Sequence, residues 1–230
     1  MPNSKTIGME QPQPDEAHVW LWLPSQSWVS QYLDDLSDSE RTQYELKSDK
    51  SRWQFASSKL FQRHVLSLYT GLSPKAHQIS KSTYGKPFLE GYDLKFNASH
   101  SQKIMVVGIT CRCEIGIDIA VHNHASRWRK RANHILHKTE VAKDSTEFYN
   151  LWALKESLLK ATGDGLVHGC HHLALQPCTE ENSVLKSFRS SLEGWHSYLL
   201  EPPTRHASLA LSSSKSLTRV RIMCFVTNSN

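Results

Sequence analysis

The sequence predicts an α+β protein of one or two domains. Strand-like runs stand near both ends of the chain and in its middle, and runs with helical apolar spacing lie between them. A chain of 230 residues with 39% hydrophobic residues can bury a sizeable core. No apolar run approaches the roughly 20 residues of a membrane span, so we expect no membrane association.

The first part of the chain is predicted to form a strand followed by two helices. Residues 1–17 are polar and contain several prolines, which predicts a loose N-terminal tail without a signal peptide. Residues 18–23 read as a strand buried on both faces. Ser37 and Glu40 form a capping box that opens a short helix. Apolar spacing then predicts a longer helix from about residue 51 to 69.

Three polar stretches in this part are candidates for ligand contacts. Arg52 lies in the first turn of the longer helix, where the helix dipole favours anions, so this cation either serves a ligand or is simply solvated. The stretch 84–89 combines turn residues with one lysine and two aromatic rings, as in a ligand-facing loop. The stretch 95–101 could present hydroxyl, imidazole and backbone N–H groups to an anion.

The next two strands are predicted at residues 104–109 and 114–120. In the second, three isoleucines share one face, while Gly116, Asp118 and Ala120 share the other. The small neighbours of Asp118 predict room for a ligand on its face. An aspartate in an isoleucine strand is disfavoured unless it has a partner.

The most informative stretch is residues 148–160, whose apolar spacing is helical. Asp144 with Glu147 is a plausible N-cap pair, and Gly163 a plausible stop. One edge of this helix carries Trp152, Glu156 and Lys160, with Lys155 beside them. A carboxylate flanked by two lysines suits a metal-bound phosphate, although a solvated Glu156–Lys160 pair is the simpler alternative.

Two further motifs favour no special chemistry. The basic stretch 126–131 lacks interleaved aromatic residues beyond Trp128, so a solvated or partner-docking face is favoured over a nucleic-acid site. The run from His168 to His172 is too compact for ordinary zinc spacing and is interpreted as a polar loop that enters a strand. The chain closes with three predicted strands, at 195–200, 207–212 and 219–226.

Charge and cysteine usage restrict the partners and the compartment. The net charge of +5 with neutral histidines suits an acidic partner or a phosphorylated ligand. Five cysteines without a Cys-x-x-Cys pair favour a reducing cytosol, so we expect a cytoplasmic protein. The sequence has neither a Walker-type loop nor G-x-G-x-x-G, so side-chain cations must grip any phosphate.

Four elements in order resemble a known family. They are Tyr84-Gly-Lys-Pro-Phe88, Phe96-Asn-Ala-Ser-His100, Gly116-Ile-Asp-Ile119 and Trp152-Ala-Leu-Lys-Glu-Ser-Leu-Leu-Lys160. Together they resemble the 4'-phosphopantetheinyl transferases of the larger, surfactin-synthetase-activating type, over roughly residues 18–226. Gly-Ile-Asp followed some 35 residues later by W-x-x-K-E-x-x-x-K is the specific part of this resemblance.

The resemblance implies a fold of two similar α+β halves related by pseudo-twofold symmetry, with the active site between them. The halves would divide near Cys113. Residues 18–113 would form the N-terminal half with the nucleotide-side contacts, and residues 114–230 the C-terminal half with the metal and the catalytic helix. Because one chain carries both halves, we expect a monomer.

The resemblance also implies Mg²⁺-dependent transfer of phosphopantetheine from coenzyme A to a serine of an acidic acyl or peptidyl carrier protein, which releases 3',5'-ADP. Asp118 and Glu156 would bind the metal, and Glu156, directly or through water, would be the base. Lys155 and Lys160 would neutralise charge on the pyrophosphate. The implied nucleotide and phosphate contacts are Arg52, His100, Ser99, Lys86 and Pro87.

This chain departs from the family pattern at one metal position. Surfactin-type members usually carry a glutamate where this chain has Ala120, which leaves the third metal ligand in question. Gln102 or another oxygen donor could take its place. Arg41 lies near the positions at which the family carries further cations that bind the 3'-phosphate. It is a weaker candidate for this contact than Arg52. A non-catalytic relative that still docks carrier proteins is the alternative function.

Overall fold

The computed structural model describes residues 8–123, 128–163, 169–178 and 185–227. The helices of these ranges are α1 (Gln26–Gln31), α2 (Asp38–Glu45), α3 (Asp49–Thr70), α4 (Trp128–Ile135) and α5 (Ser145–Thr162). Their strands are β1 (Glu16–Trp22), β2 (Ile79–Lys81), β3 (Pro87–Leu89), β4 (Leu94–Ser101), β5 (Ile104–Cys111), β6 (Ile115–Val121), β7 (Leu175–Pro177), β8 (Lys186–Ser190), β9 (His196–Leu200), β10 (Ala207–Ser213) and β11 (Arg219–Cys224). The protein is therefore a mixed α+β structure, as the sequence predicts.

The strands form two larger sheets and one small hairpin. The first sheet has the order β11-β1-β5-β4, the second has the order β6-β10-β9-β8-β7, and β2 pairs with β3. The molecule therefore has two sheet-containing halves. The C-terminal strand β11 pairs in parallel with β1 and so completes the first sheet. The division near Cys113 and the pseudo-twofold relation of the halves stay predictions.

The predicted capping residues lie at the ends of the helices, as the sequence predicts. Ser37 and Glu40 form a complete capping box at the start of α2. The side chain of Asp144 accepts the backbone N–H of Glu147 at the start of α5. Gly163 ends α5 in the left-handed conformation, with φ of 81°, which glycine adopts at little cost. These ends set the length and the rotation of the helix that carries Glu156 and Lys160.

The two faces of β6 differ as the alternation predicts. Ile115, Ile117 and Ile119 lie in the apolar core between the two sheets. The opposite face packs on α5, and a Cβ atom on Gly116 would lie 2.0 Å from the Ser157 carbonyl oxygen. The space beside Asp118 at Gly116 is therefore filled by the helix backbone. The expectation that Gly116 leaves room for a ligand is wrong, because its missing side chain admits α5.

The two sheets meet where the edge strands β4 and β6 pass each other. Asn97 accepts the backbone N–H of Ile117 through its Oδ1 atom at 3.0 Å. Ser101 accepts the backbone N–H of Val121 through its Oγ atom at 2.9 Å. Because both pairs of partners are four residues apart, the two strands run in the same direction. We call these side-chain bridges the β4–β6 seam.

The N-terminal strand begins earlier than the sequence predicts. All seven residues of β1 are buried, and the strand starts at Glu16 rather than at residue 18. Met9 lies before it, and its backbone N–H donates to the Leu68 carbonyl of α3 at 2.6 Å.

Among the residues that the structure describes, none of the helices is long and apolar enough to cross a membrane.

Candidate active site

A cleft of about 370 Å³ opens where α5, β4 and the loop before β3 meet. Its lining residues are Tyr84, Gly85, Lys86, Pro87, Asn97, Ala98, Glu156, Leu159, Lys160 and Gly163. Four of the predicted site residues, Lys86, Pro87, Glu156 and Lys160, thus line one cleft although they are up to 74 positions apart in the chain. Folding brings together the motifs that the sequence shows only as separate elements.

Lys160 stands at the centre of the polar contacts. Its Nζ atom lies 2.6 Å from Oδ1 of Asp118 and 2.8 Å from Oγ of Ser99. The Ser99 hydroxyl donates to the same Asp118 oxygen at 2.7 Å. Lys160 also donates to the Ile117 carbonyl oxygen at 3.3 Å. One strand of each sheet and α5 therefore meet at a single ammonium group.

Glu156 adds a second carboxylate to this cluster. Burial raises the pKa of its side chain, and the negative charge of Asp118 raises it further, while Lys160 opposes both effects. Two carboxylates that repel each other in a partly desolvated cleft favour a cation or a proton between them. Hard oxygen ligands of this kind are the ligands that Mg²⁺ prefers.

Lys86 is held in place from two sides. Its Nζ atom lies 2.5 Å from Oε2 of Glu114 and donates to the Ala161 carbonyl at 2.6 Å. Burial lowers the pKa of Lys86, and Glu114 partly offsets this effect. The ammonium group therefore joins the loop before β3 to the last turn of α5. Lys86 and the neighbouring Pro87 both lie at the cleft, as predicted.

Lys155 lies elsewhere, which corrects the expectation that it faces a pyrophosphate. Its side chain is 0% exposed, and its Nζ atom lies 2.7 Å from Oε2 of Glu140. The same ammonium donates to the carbonyl oxygens of Ile135 and Cys170. The reason is rotation: Lys155 precedes Glu156 by one position, about 100° around the helix. It therefore points away from the cleft and into the protein.

The contacts of Arg52 also differ from those that its predicted role requires. Its guanidinium donates to the carbonyl oxygens of Tyr44 and Glu45, both at 3.2 Å, at the end of α2. It adds side-chain donors to carbonyl groups of the last turn of α2, of which the Tyr44 carbonyl also accepts from the backbone N–H of Lys47. Arg41 pairs with Asp34 at 2.7 Å. Neither arginine is among the lining residues of the cleft.

His100 lies at the outer end of β4 and is exposed to solvent. Partial desolvation of its imidazole lowers its pKa, the positive charge of Lys160 lowers it further, and Asp118 acts in the opposite direction. Lys160 and Asp118 therefore both act on the imidazole of His100 electrostatically. Its position is therefore compatible with a contact to an anion at the edge of the cleft.

Ala120 follows Asp118 on the same face of β6 but lies in apolar surroundings. It is 9% exposed and belongs to the hydrophobic cluster that includes Ile135, Phe148 and Leu154. A carboxylate at this position would have to displace apolar contacts. Within the described residues, no group of three His, Cys, Asp or Glu side chains could hold a metal ion.

Two of the other predicted motifs lie partly outside the described residues. Ser126, where the basic stretch begins, and His168, where the histidine run begins, both lie outside them. In the described part of the basic stretch, the Arg131 guanidinium lies 4.0 Å from the centre of the Trp152 ring. Trp152 also packs against the hydrophobic cluster that includes Phe148 and Leu154.

Sequence reasoning missed Asn97 and Glu114 as parts of the site. Asn97 lines the cleft and bridges to β6, and Glu114 holds Lys86. One signal could have revealed Asn97: it shares a strand face with Ser99 and Ser101, so three small polar side chains point the same way. Glu114 gives no such signal, because its partner is 28 positions away.

Several known proteins are similar to this chain. Residues 114–211 match the model of the 4'-phosphopantetheinyl transferase superfamily. The 4'-phosphopantetheinyl transferase HetI of Nostoc is 29% identical over 169 residues, which is 66% of this chain and 70% of that protein. The 4'-phosphopantetheinyl transferase Sfp of Bacillus subtilis is 35% identical over 113 residues, which is 45% of this chain and 49% of that protein.

A third relative agrees with these two. The 4'-phosphopantetheinyl transferase gsp of Aneurinibacillus migulanus is 36% identical over 94 residues, 37% of this chain and 38% of that protein. The family model covers β6 and α5, which supply Asp118, Glu156 and Lys160. The chain is therefore similar to 4'-phosphopantetheinyl transferases over about two thirds of its length, and its match to the superfamily model includes the strand and the helix of the candidate site.

Proposed function

We propose that this protein transfers the 4'-phosphopantetheine arm of coenzyme A to a serine of an acyl or peptidyl carrier protein, with Mg²⁺, and releases 3',5'-ADP. Lys160 and Glu156 line one cleft, and the observation that carries the proposal is the contact of Lys160 with Asp118 and Ser99 at its edge. These groups combine two hard oxygen ligands with one fixed cation. A pyrophosphate with its metal needs both.

The donor set fits Mg²⁺. Two carboxylates close enough to raise the pKa of Glu156 supply the one or two protein ligands that this ion usually takes. When bound, Mg²⁺ neutralises negative charge on phosphate oxygens and makes the phosphorus easier to attack. Because Ala120 offers no carboxylate, the protein contribution would remain at Asp118 and Glu156.

The chain's own residues would divide the remaining work. The serine oxygen of the carrier attacks the phosphorus next to pantetheine, and the bond from that phosphorus to the oxygen of the leaving 3',5'-ADP breaks. Glu156, directly or through one water, accepts the serine proton. Lys160 stabilises the charge that develops on the leaving pyrophosphate oxygen.

The other end of coenzyme A would lie along the Lys86 and Pro87 side of the cleft. Ser99, which contacts Lys160, and His100, near the end of β4, are the candidates for phosphate contacts. Arg52 could reach a 3'-phosphate only by leaving the carbonyl oxygens of Tyr44 and Glu45. The net charge of +5 suits an acidic carrier protein, and we expect the enzyme to act as a monomer.

The test is incubation of the protein with coenzyme A, Mg²⁺ and a panel of purified carrier proteins in their unmodified form. Mass spectrometry should find a gain of one phosphopantetheine arm on at least one carrier. Asp118→Ala and Glu156→Ala should abolish the gain while circular dichroism stays unchanged. Failure of the wild type with every carrier, or a near-native rate of folded Glu156→Ala, would contradict the proposal.

A further inference from the structure

The seam between β4 and β6 holds the backbone next to Asp118. Among the described strands, β4 and β6 are each the edge of their own sheet, so no described strand pairs with the outer N–H groups of β6. Asn97 supplies an acceptor to the N–H of Ile117, the residue directly before Asp118. Such an N–H group, buried without a partner, would cost stability.

The Ile117 residue is held at both of its polar backbone groups. Its N–H donates to Asn97 of β4, and its carbonyl oxygen accepts from Lys160 of α5. The same Lys160 ammonium binds the Asp118 carboxylate. A shift of Ile117 would therefore move the carboxylate and its cation relative to each other. Asn97 is 6% exposed, so neighbouring atoms restrict its amide group.

We propose that Asn97 is a positioning residue, which fixes the Asp118 carboxylate next to Lys160 and Glu156 by accepting the Ile117 N–H. The expected effect of Asn97 on transfer rests on the proposed function. Its expected effect on the geometry of the site does not. Partners of metal-ligating groups commonly affect activity although they touch neither metal nor substrate. Asn97 therefore belongs to the site without being one of its reacting groups.

The chain offers a matched control within the same seam. Ser101 makes an equivalent bridge to Val121, three residues beyond Asp118, through a half-buried hydroxyl. Loss of either bridge weakens the contact between the two sheets. Only loss of the Asn97 bridge releases the residue next to Asp118. A comparison of the two sites thus separates positioning from general stability.

The experiment compares Asn97→Leu, Asn97→Asp and Ser101→Ala with the wild type. Leucine keeps the size of Asn97 and removes the acceptor, whereas aspartate keeps an acceptor oxygen. In metal-free protein, amide hydrogen exchange at Ile117 should become faster in Asn97→Leu and stay near the wild-type rate in Asn97→Asp. Ser101→Ala should speed exchange at Val121 instead.

A second measurement reads the position of Asp118 without any transfer. The carbon-13 chemical shift of the Asp118 carboxyl at one fixed pH should change in Asn97→Leu, because its contacts with Lys160 and Ser99 change. Ser101→Ala should leave this signal unchanged. In transfer assays, Asn97→Leu should lower kcat by about 10- to 100-fold, with little change in the KM for coenzyme A. Ser101→Ala should keep kcat within about threefold.

Specific results would overturn the proposal. A raised KM with an unchanged kcat would mean that Asn97 contacts coenzyme A from the lining of the cleft. Equal losses in Asn97→Leu and Ser101→Ala would mean that the seam acts only through stability. If Asn97→Leu does not fold, Asn97→Ala takes its place. If the wild type modifies no carrier, the proposed function fails, and amide exchange at Ile117 together with the Asp118 carboxyl signal decides whether Asn97 positions Asp118.

Discussion

At the scale of single residues, the cleft is built from groups whose neighbours change their chemistry. Glu156 is ionised less readily than an ordinary glutamate because it is partly desolvated and lies near Asp118. Lys160 is shared between Asp118, Ser99 and a backbone carbonyl. The arrangement places the Lys160 ammonium beside two carboxylates, Asp118 and Glu156, that repel each other. One positive charge does not balance two negative charges, so the site favours a second cation.

Glu156 should therefore cost stability when no metal is bound. Its pKa is raised in the folded protein, so the unfolded chain ionises first and stability falls as the pH rises through the interval between the two values. Glu156→Gln should raise the melting temperature in EDTA at pH 7–8. This gain should shrink as the pH falls toward the ordinary glutamate pKa of about 4.3.

Thermal unfolding at several pH values measures this effect. The exposed Glu193, changed to Gln, is the control and should show no such pH-dependent gain. A lower melting temperature of Glu156→Gln at pH 8 would contradict the assigned environment. The same variant should be inactive in transfer. Glu156 would then be a residue that lowers stability but is needed for activity.

At the scale of elements, the contact between β6 and α5 decides the geometry of the site. Gly116 lets the helix backbone approach the strand so closely that a methyl group would lie 2.0 Å from the Ser157 oxygen and 2.3 Å from the Ala161 nitrogen. Backbone atoms cannot turn aside as a flexible side chain can. Asp118 on the strand and Lys160 on the helix meet because this approach is allowed.

Gly116→Ala should therefore separate β6 from α5 and lower the free energy of unfolding by about 3 kcal/mol or more, the upper range for overpacked sites. Gly108→Ala is the matched control, since its added methyl group would meet the movable Cδ1 atom of Ile115 at 2.9 Å. Urea unfolding of both variants gives the comparison. Equal stability losses would show that the close approach at Gly116 is not rigid.

Lys155 tests a second contact between elements, in which its ammonium joins α5 to Glu140 in the segment before that helix. Lys155→Met would leave the buried Glu140 without its cation and should cost about 3–5 kcal/mol of stability. Lys155→Met with Glu140→Gln should cost less than Lys155→Met alone. Urea unfolding and the KM for coenzyme A should be measured together. A raised KM without lost stability would restore Lys155 as a phosphate contact.

At the scale of the whole molecule, the two halves depend on each other. β11 comes from the end of the chain and pairs with β1 of the first sheet. Phe225, just after β11, packs on Trp22, Trp28 and Phe61 of the first core. The N-terminal segment therefore lacks an edge strand and part of its aromatic core when it stands alone.

A fragment of residues 1–113 should accordingly be unfolded, because it loses β11 and the core that it shares with β6. Coexpression with residues 114–230 should restore a folded complex. Circular dichroism and two-dimensional NMR of the fragment alone test this expectation. A well-dispersed spectrum of the isolated fragment would mean that the halves are independent domains, and that the predicted division near Cys113 is also a folding boundary.

The sequence alone determined the parts of this protein that depend on neighbours along the chain. Helix spacing and capping residues predicted α2, α3 and α5, and the alternation in β6 placed Asp118 on the face opposite the isoleucines. Ordered motifs pointed to the family. These signals are local, because propensity, capping and side-chain period act over a few residues.

Only the tertiary structure decided which charged groups meet. Lys155 and Lys160 look equivalent in the sequence, yet one is buried against Glu140 and the other binds Asp118. Arg52 looked like a ligand cation and instead holds the end of α2. Asn97 gained its role from Ile117, 20 positions away. The physical reason is that an ion pair or a buried N–H is satisfied by whatever packing brings near, and packing joins residues that the sequence keeps apart.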